Sequence, residues 1–274
     1  MKYKEIIEYA NNNHKIQDYE IDAIYFIIEE VNHINRSSLL LKLNDELENE
    51  EIIKKYIDKY IYDCIPVQYL LNCAYFYDSK FYVNEDVLIP RFDTEVVVDE
   101  AINIIKSEFK NKPIDIVDIG TGSGCIAVTL AKNINYNSID AIDISKKALD
   151  VASLNAKSNN VDINFIQNDL LIGINKLYDV IISNPPYIDK GEYVMEIVDK
   201  NEPKEALYSK DNGLYHYKRI IDESINNLKG QGILIFEIPD NKCDDIIKYA
   251  KVYYNNIEYK KDYNNQRRVL IIRK

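Results

Sequence analysis

From residue 114 onward the chain alternates short apolar runs with amphipathic stretches, and this rhythm restricts the fold more than any other feature. The runs at 114–119, 138–144, 162–167, 178–183 and 232–238 have the length and β-branched content of buried strands. Between them, 125–132, 146–159, 215–228 and 241–250 place apolar residues at helical spacing, as in Ala148, Leu149, Val151, Ala152 and Leu154. Strand–helix alternation of this kind folds as a doubly wound α/β sheet with mostly parallel strands. The runs at 252–259 and 268–274 have no helix between them, so a closing hairpin adds one antiparallel strand.

The region before residue 75 has a different period. Ile6, Ile7 and Ala10, then Ile21, Ile24, Tyr25, Ile28 and Val31, recur at helical spacing, and 46–61 repeats the stripe with Ile52, Ile53, Tyr56, Ile57 and Tyr60. The acidic stretch 44–51 suits the start of a helix, where carboxylates favour the dipole. No Gly or Pro precedes Pro66, so 1–74 is expected to form a compact helical domain with short connections. In 75–83, aromatic strand formers flank a polar turn, which marks 75–92 as a β-hairpin linker. The α/β domain then spans 93–274.

Composition narrows the classes. With 46% hydrophobic residues, 8 Gly, 7 Pro and 4 Cys in 274 residues, disordered and disulfide-scaffold classes are excluded. The cysteines form no CxxC pair and the three histidines lie far apart, so no metal site is expected. The 45 acidic against 34 basic side chains oppose phosphate-dominated binding, and no stable nucleic-acid complex is expected. Charges fill residues 1–8, where a leader would need an apolar run, and no uncharged stretch approaches membrane length, so no membrane association is expected. The expected location is the cytoplasm.

Three of the eight glycines fall within five residues, at Gly120, Gly122 and Gly124 in Asp118-Ile-Gly-Thr-Gly-Ser-Gly124. That turn joins the first strand to the first helix, where a backbone without side chains lets a ligand approach amide N–H groups at a helix start. The spacing is GxGxG rather than the dinucleotide GxGxxG, with Cys125 in the place of the third glycine. About 20 residues on, Asp143 ends the second strand, where a carboxylate can accept from both ribose hydroxyls. Loop and acid together indicate an adenosine-containing ligand, and both NAD and S-adenosylmethionine satisfy them.

Asn184-Pro-Pro-Tyr187 follows the fourth strand, at the edge where doubly wound sheets bind ligands. Two prolines stiffen the backbone and remove two N–H donors, which leaves carbonyl acceptors. Asn184 adds a side-chain carbonyl and Tyr187 an aromatic face. Such a set suits a planar –NH2 group, with acceptors for its hydrogens and a ring for its face. No His stands near this motif in the sequence.

On these residues the chain resembles class I S-adenosylmethionine-dependent methyltransferases acting on amino nitrogens. Within them it is similar to the HemK/PrmC-type release-factor glutamine N5-methyltransferases. Pro66-Val-Gln-Tyr-Leu70, Val87-Leu-Ile-Pro-Arg-Phe-Asp-Thr-Glu95, Ser183-Asn-Pro-Pro-Tyr-Ile188 and Glu202-Pro-Lys-Glu-Ala-Leu207 with Gly213 carry the likeness, which spans essentially the whole chain. The family usually has Pro at the position of Phe92, Gly within 72–74, and Gly at the position of Pro239.

The resemblance implies a seven-stranded methyltransferase sheet with an antiparallel terminal strand, S-adenosylmethionine as cofactor, and class-1 peptide chain release factors as substrate. Gly120, Thr121, Gly122, Ser123 and Gly124 would pack on the methionine portion, Asp143 would hold the ribose, and Leu170 would lie by the adenine. Asn184 and Pro185 would accept the hydrogens of the substrate glutamine amide, with Pro186 stiffening the loop and Tyr187 over the amide. Asn184 would also border the cofactor. The helical domain would dock the protein substrate, and Arg91 and Glu95 would lie at the site's rim or pair as ions. The alternative is a DNA or RNA amino methyltransferase, since adenine N6 offers a similar planar –NH2. Against it stand the net acidity and the lack of any Lys/Arg-rich insert.

Overall fold

In the computed structural model, which describes residues 1–17 and 19–274, the chain divides into two compact units. One comprises Met1–Cys73 and Tyr193–Glu202, the other Ala74–Glu192 and Pro203–Lys274. The sequence reading leaves 193–202 in the α/β domain and treats the hairpin as a separate linker. The downstream segment folds instead with the N-terminal helices, where Ile197 packs on their apolar core and Asn201 Nδ2 donates to the Cys64 carbonyl at 2.7 Å. The hairpin folds with the sheet, because Phe76 and Phe81 are buried in its core.

The first unit contains α1 (Tyr3–Asn13), α2 (Ile21–Asn32), α3 (Arg36–Leu41), α4 (Glu50–Asp63) and α5 (Val67–Leu71). Residues three and four apart share a helix face, so Ile6, Ile7 and Ala10, Ile24, Ile27 and Ile28, and Ile53, Ile57 and Ile61 form stripes that meet in one core. Glu50 and Glu51 occupy the first turn of α4, the end the acidic stretch favours.

The second unit opens with the hairpin β1 (Ala74–Phe76) and β2 (Ser79–Phe81), followed by α6 (Phe92–Glu108), which the sequence reading does not anticipate. Then come β3 (Ile114–Ile119), α7 (Cys125–Asn133), β4 (Tyr136–Asp143), α8 (Lys146–Ser158), β5 (Asn164–Gln167) and β6 (Tyr178–Ser183). After the short α9 (Glu196–Asn201), which belongs to the first unit, follow α10 (Lys204–Leu207), α11 (Tyr215–Asn227), β7 (Leu228–Glu237), α12 (Cys243–Ala250), β8 (Asn256–Lys261) and β9 (Arg267–Arg273).

The seven strands lie in the order β5-β4-β3-β6-β7-β9-β8. Neighbours from β5 to β7 are parallel, and β9 inserts antiparallel between β7 and β8. The last hairpin starts four residues later than the expected 252. Val252, Tyr253 and Tyr254 are used in a turn whose amides bond back to Tyr249 and Ala250, so these apolar residues end α12 rather than begin β8.

Alternation along each strand feeds two apolar layers. Ile116, Val180, Ile233 and Ile235 face α6 and α7, whereas Val117, Ile181, Leu234 and Phe236 face α11 and α12. Each fully buried side chain of this size contributes about 1.5–3 kcal/mol. Register then sets the functional edge. Ile119 pairs with Ile142 on one side and Ser183 on the other, and Ser183 pairs with Phe236. The next residues, Gly120, Asp143, Asn184 and Glu237, are therefore brought level at the carboxyl ends of four adjacent strands. The chain order reverses between β3 and β6, the switch point at which such sheets bind ligands. Among the described residues no helix is long and apolar enough to cross a membrane.

Candidate functional site

The glycine loop after β3 adopts left-handed backbone at all three glycines, with φ of +70° at Gly120, +54° at Gly122 and +81° at Gly124. A side chain at Gly120 or Gly122 would meet nothing within 4 Å, so the loop's outer surface is open. Gly124 is different, since a Cβ there would lie 3.0 Å from that of Ala152 on α8. Its role is helix packing. Most loop amides are already used, contrary to their expected exposure. Gly120 N and Thr121 N donate to the Ile142 carbonyl, Gly124 N to the Thr121 carbonyl, and Gly122 N to Asp143 Oδ2 at 2.9 Å. These four amides are engaged within the protein and do not form a free phosphate cradle.

Beneath the loop, Asp118 is fully buried and accepts from Thr121 Oγ1 at 2.6 Å, while its Oδ1 has no partner. Burial pushes its carboxyl up to about 7. Thr121 and Ser123 are buried under the turn. Asp143 accepts from the amides of Gly122 and Ser145, one on each oxygen, which leaves lone pairs on both for further donors. Burial raises its carboxyl as well. Leu170 is partly buried with φ of +52°, and Asn168 Nδ2 donates to its carbonyl at 2.9 Å.

On the other side of the switch point, Ser183 Oγ donates to the Ile119 carbonyl at 2.7 Å, tying the root of the Asn-Pro-Pro-Tyr motif to the root of the glycine loop. Pro185 is buried, and Asn184, Pro186 and Tyr187 are partly buried. Desolvation pushes the Tyr187 hydroxyl up to about 12, so the ring is neutral at physiological pH. The motif's exit is pinned twice, by Ile188 N to the Leu207 carbonyl at 3.1 Å and by Ser209 N to the Ile188 carbonyl at 2.9 Å.

Several residues that sequence reasoning does not single out complete this edge. Asn184 Nδ2 donates to Thr94 Oγ1 at 3.2 Å, and Thr94 Oγ1 donates to Glu237 Oε2 at 2.6 Å. Lys242, almost fully buried, donates to the Tyr187 carbonyl at 2.7 Å and to Glu192 at 2.6 Å. Thr94 does stand in Val87–Glu95, a stretch that carries the family likeness, which is the one signal that could have flagged it; Glu237 and Lys242 lie outside those stretches. The expectation that no His stands by the motif is corrected. His216 on α11 bonds Ser209 Oγ through Nδ1 at 2.9 Å, also bonds the Pro186 backbone, and feels the charges of Arg219 and Asp169. The helix brings it there from 29 residues downstream in the sequence. Desolvation lowers its pKa, which favours the neutral ring. Glu95 accepts from Tyr77 N at 2.7 Å and so closes the hairpin turn, whereas Arg91 stands at the N-cap of α6.

The arrangement offers an open glycine surface and a carboxylate on one side of the switch point, and a stiff loop rich in acceptors on the other. The model of the methyltransferase small domain matches residues 94–207. A release factor glutamine methyltransferase of Flavobacterium psychrophilum is 38% identical over 92% of this chain and 92% of its own. That of Bacillus subtilis is 40% identical over 75% of this chain and 74% of its own. Among solved structures, a methyltransferase from Pyrococcus furiosus has the same fold, with a TM-score of 0.53 at 17% identity over 80% of this chain and 93% of its own.

Proposed function

The chain belongs to the release factor glutamine methyltransferases, and from that premise we propose that Asn184–Tyr187 receives the glutamine amide while 120–124, Asp143 and Leu170 hold S-adenosylmethionine. The protein is a methyltransferase, and its reaction is methylation of the side-chain amide nitrogen of a release-factor glutamine. The observation that carries the site assignment is the parallel register of β3 with β6, in which Ile119 pairs with Ser183. Gly120 and Asn184 start adjacent loops at the switch point, so a donor on one loop and an acceptor on the other fall within one crevice.

The residues present fit this cofactor better than a dinucleotide. A pyrophosphate needs free amide donors at the helix start, and the amides of Gly120, Thr121, Gly122 and Gly124 are engaged. The open surface over Gly120 and Gly122 suits an uncharged, close-packed contact, and the spare lone pairs of Asp143 suit two ribose hydroxyls. When bound, S-adenosylmethionine supplies an electrophilic methyl group on a sulfonium.

An amide nitrogen is a weak nucleophile because its lone pair is delocalised into the carbonyl. Acceptors at Asn184 Oδ1 and the Pro185 carbonyl hold the two amide hydrogens and favour a pyramidal nitrogen whose lone pair points out of the amide plane. As positive charge grows on nitrogen, these acceptors bind the transition state more strongly than the ground state. Tyr187, neutral by burial, packs over the amide without competing for it. Alignment by the rigid proline pair contributes the orientation that a bimolecular encounter would otherwise lack.

The test is incubation with labelled S-adenosylmethionine and a purified class-1 release factor, followed by peptide mass mapping, with the label expected on a glutamine side chain of the factor. Asn184→Ala is expected to lower kcat by about 10²–10³-fold while cofactor Kd changes by less than about twofold. Undiminished turnover in that variant would remove Asn184 from the amide site.

A further inference from the structure

A carboxamide has two unlike ends, an acceptor oxygen and a donor –NH2, and Asn184 can serve an amide substrate only if the oxygen faces it. Thr94 decides which end that is. It lies in the first turn of α6, 90 positions before Asn184 and 143 before Glu237, yet its hydroxyl sits between the two. A hydroxyl has one hydrogen. Here it is donated to Glu237 Oε2 at 2.6 Å, so toward Asn184 the same oxygen can only accept. Asn184 Nδ2 meets it at 3.2 Å, which turns Asn184 Oδ1 to the opposite side. Thr94 and Glu237 are 3% and 2% exposed, too little for water to replace either partner.

Glu237 needs an explanation in any case, because burying a carboxylate is expensive unless the charge has a use. The neighbouring cation Arg268 is bonded to Asp93 at 3.0 Å and Asp262 at 3.1 Å, and it is no direct partner of Glu237. The backbone of Glu237 is held independently, its carbonyl accepting from Tyr217 Oη at 2.8 Å. The side chain is thus not required to anchor the strand.

Resting on the assignment of Asn184 as the amide acceptor, we propose that Glu237 and Thr94 are positioning residues that orient the Asn184 carboxamide with its oxygen toward the substrate. The orientation depends on the ionised form of Glu237. A protonated Glu237 becomes a donor to Thr94, whose hydrogen is then released toward Asn184 and favours the opposite orientation, with –NH2 facing –NH2. Desolvation sets this transition near pH 7, with Thr94 and the positive charges of Arg268 and Arg91 favouring the ionised form and Asp93 opposing it. Tyr187, Tyr217 and Cys125 also face Glu237, and burial keeps all three protonated through this range.

The experiment measures kcat from pH 5.5 to 8.5, and cofactor Kd by calorimetry, for the wild type and for T94V, T94S and E237Q with purified release factor. In the wild type kcat should fall on the acid side of an inflection near 7. T94V should lower kcat about tenfold or more with cofactor Kd within about twofold, and T94S should recover most of the loss. E237Q, which cannot ionise, should have lower kcat at pH 8 and no inflection. A wild type that methylates glutamine while T94V keeps full kcat overturns the proposal. So does an inflection that survives in E237Q, a reading that holds even if T94V does not fold. A wild type that leaves glutamine unmethylated overturns the underlying site assignment instead.

Discussion

Replacement of Gly213 by alanine is a one-methyl perturbation aimed at the proposed amide-binding loop from outside the motif. Gly213 has φ of +81°, and a Cβ there would stand 2.1 Å from the Tyr187 carbonyl oxygen and 2.3 Å from Lys242 Nζ. Both are far inside van der Waals contact, so the Tyr187 carbonyl must retreat by roughly 1 Å. Lys242 offers little relief, since its ammonium is held between that carbonyl and Glu192. The left-handed backbone costs about 1 kcal/mol for a residue with a Cβ, and overpacking a buried contact costs about 1–3 kcal/mol more. Together these predict a loss of about 2–4 kcal/mol, or roughly 5–15 °C in Tm for a unit of this size. The functional loss should be larger than the thermal shift suggests, because a displacement of about 1 Å at an orienting loop can cost on the order of 10²-fold in kcat. The assays are differential scanning calorimetry, turnover at saturating cofactor, and cofactor titration, which should be unchanged. Gly173→Ala separates the two contributions: its φ is +74° but its Cβ would meet open space, so it should lose only about 1 kcal/mol. A Gly213→Ala protein with wild-type Tm and kcat would refute the reasoning, for it would mean that the Tyr187 carbonyl is free to move.

Two further outcomes follow from the carboxylates. Asp143→Ala should weaken cofactor Kd by about 10-fold or more while kcat at saturating cofactor changes little, because the carboxylate is proposed to hold the donor and not the amide; titration calorimetry with parallel turnover decides it. Conformational stability should fall as pH rises from about 5 to 7. Asp118 and Glu237 titrate near 7 when folded and near 4 when unfolded, so the folded state holds protons that the unfolded chain has lost. Their favourable contribution is complete below about 4 and is lost through 7, and Asp143 acts in the same direction. His216, held neutral by burial, opposes them as a single group. Urea denaturation at pH 5, 6, 7 and 8 reads the slope, which should flatten in Glu237→Gln; a stability that rises across this window would contradict the burial of these acids.

The parts of the molecule legible in the sequence are those that local chemistry decides. The apolar run that forms β6 ends at Ser183 in both sequence and structure because Pro185 and Pro186 cannot continue a central strand. The glycine turn and Asp143 are legible because φ above zero and a strand-end acid each leave a residue-level trace. The contact of Thr94 with Asn184 and Glu237 leaves none, since those partners lie 90 and 143 positions away from it and meet it only through sheet register and the start of α6. His216 is hidden for the same reason, helix α11 being what returns it to Pro186. The use of loop amides inside the turn is likewise invisible until β4 is in place, because the acceptor is the carbonyl of Ile142.

The path of the chain between the two compact units carries a consequence for how the enzyme can be dissected. The backbone passes from one unit to the other after Cys73, after Glu192 and after Glu202, so they are joined by three strands of peptide rather than one. Removal of 1–73 is therefore not the excision of a module. It would strip Ile197 and Asn201 of the apolar core and the Cys64 carbonyl that hold them, in a segment that begins only six residues beyond Tyr187. A shortened protein that lost activity would report a released active-site tether as much as a missing docking surface. Exchange of helical units between relatives would have to carry 193–202 along as part of the graft.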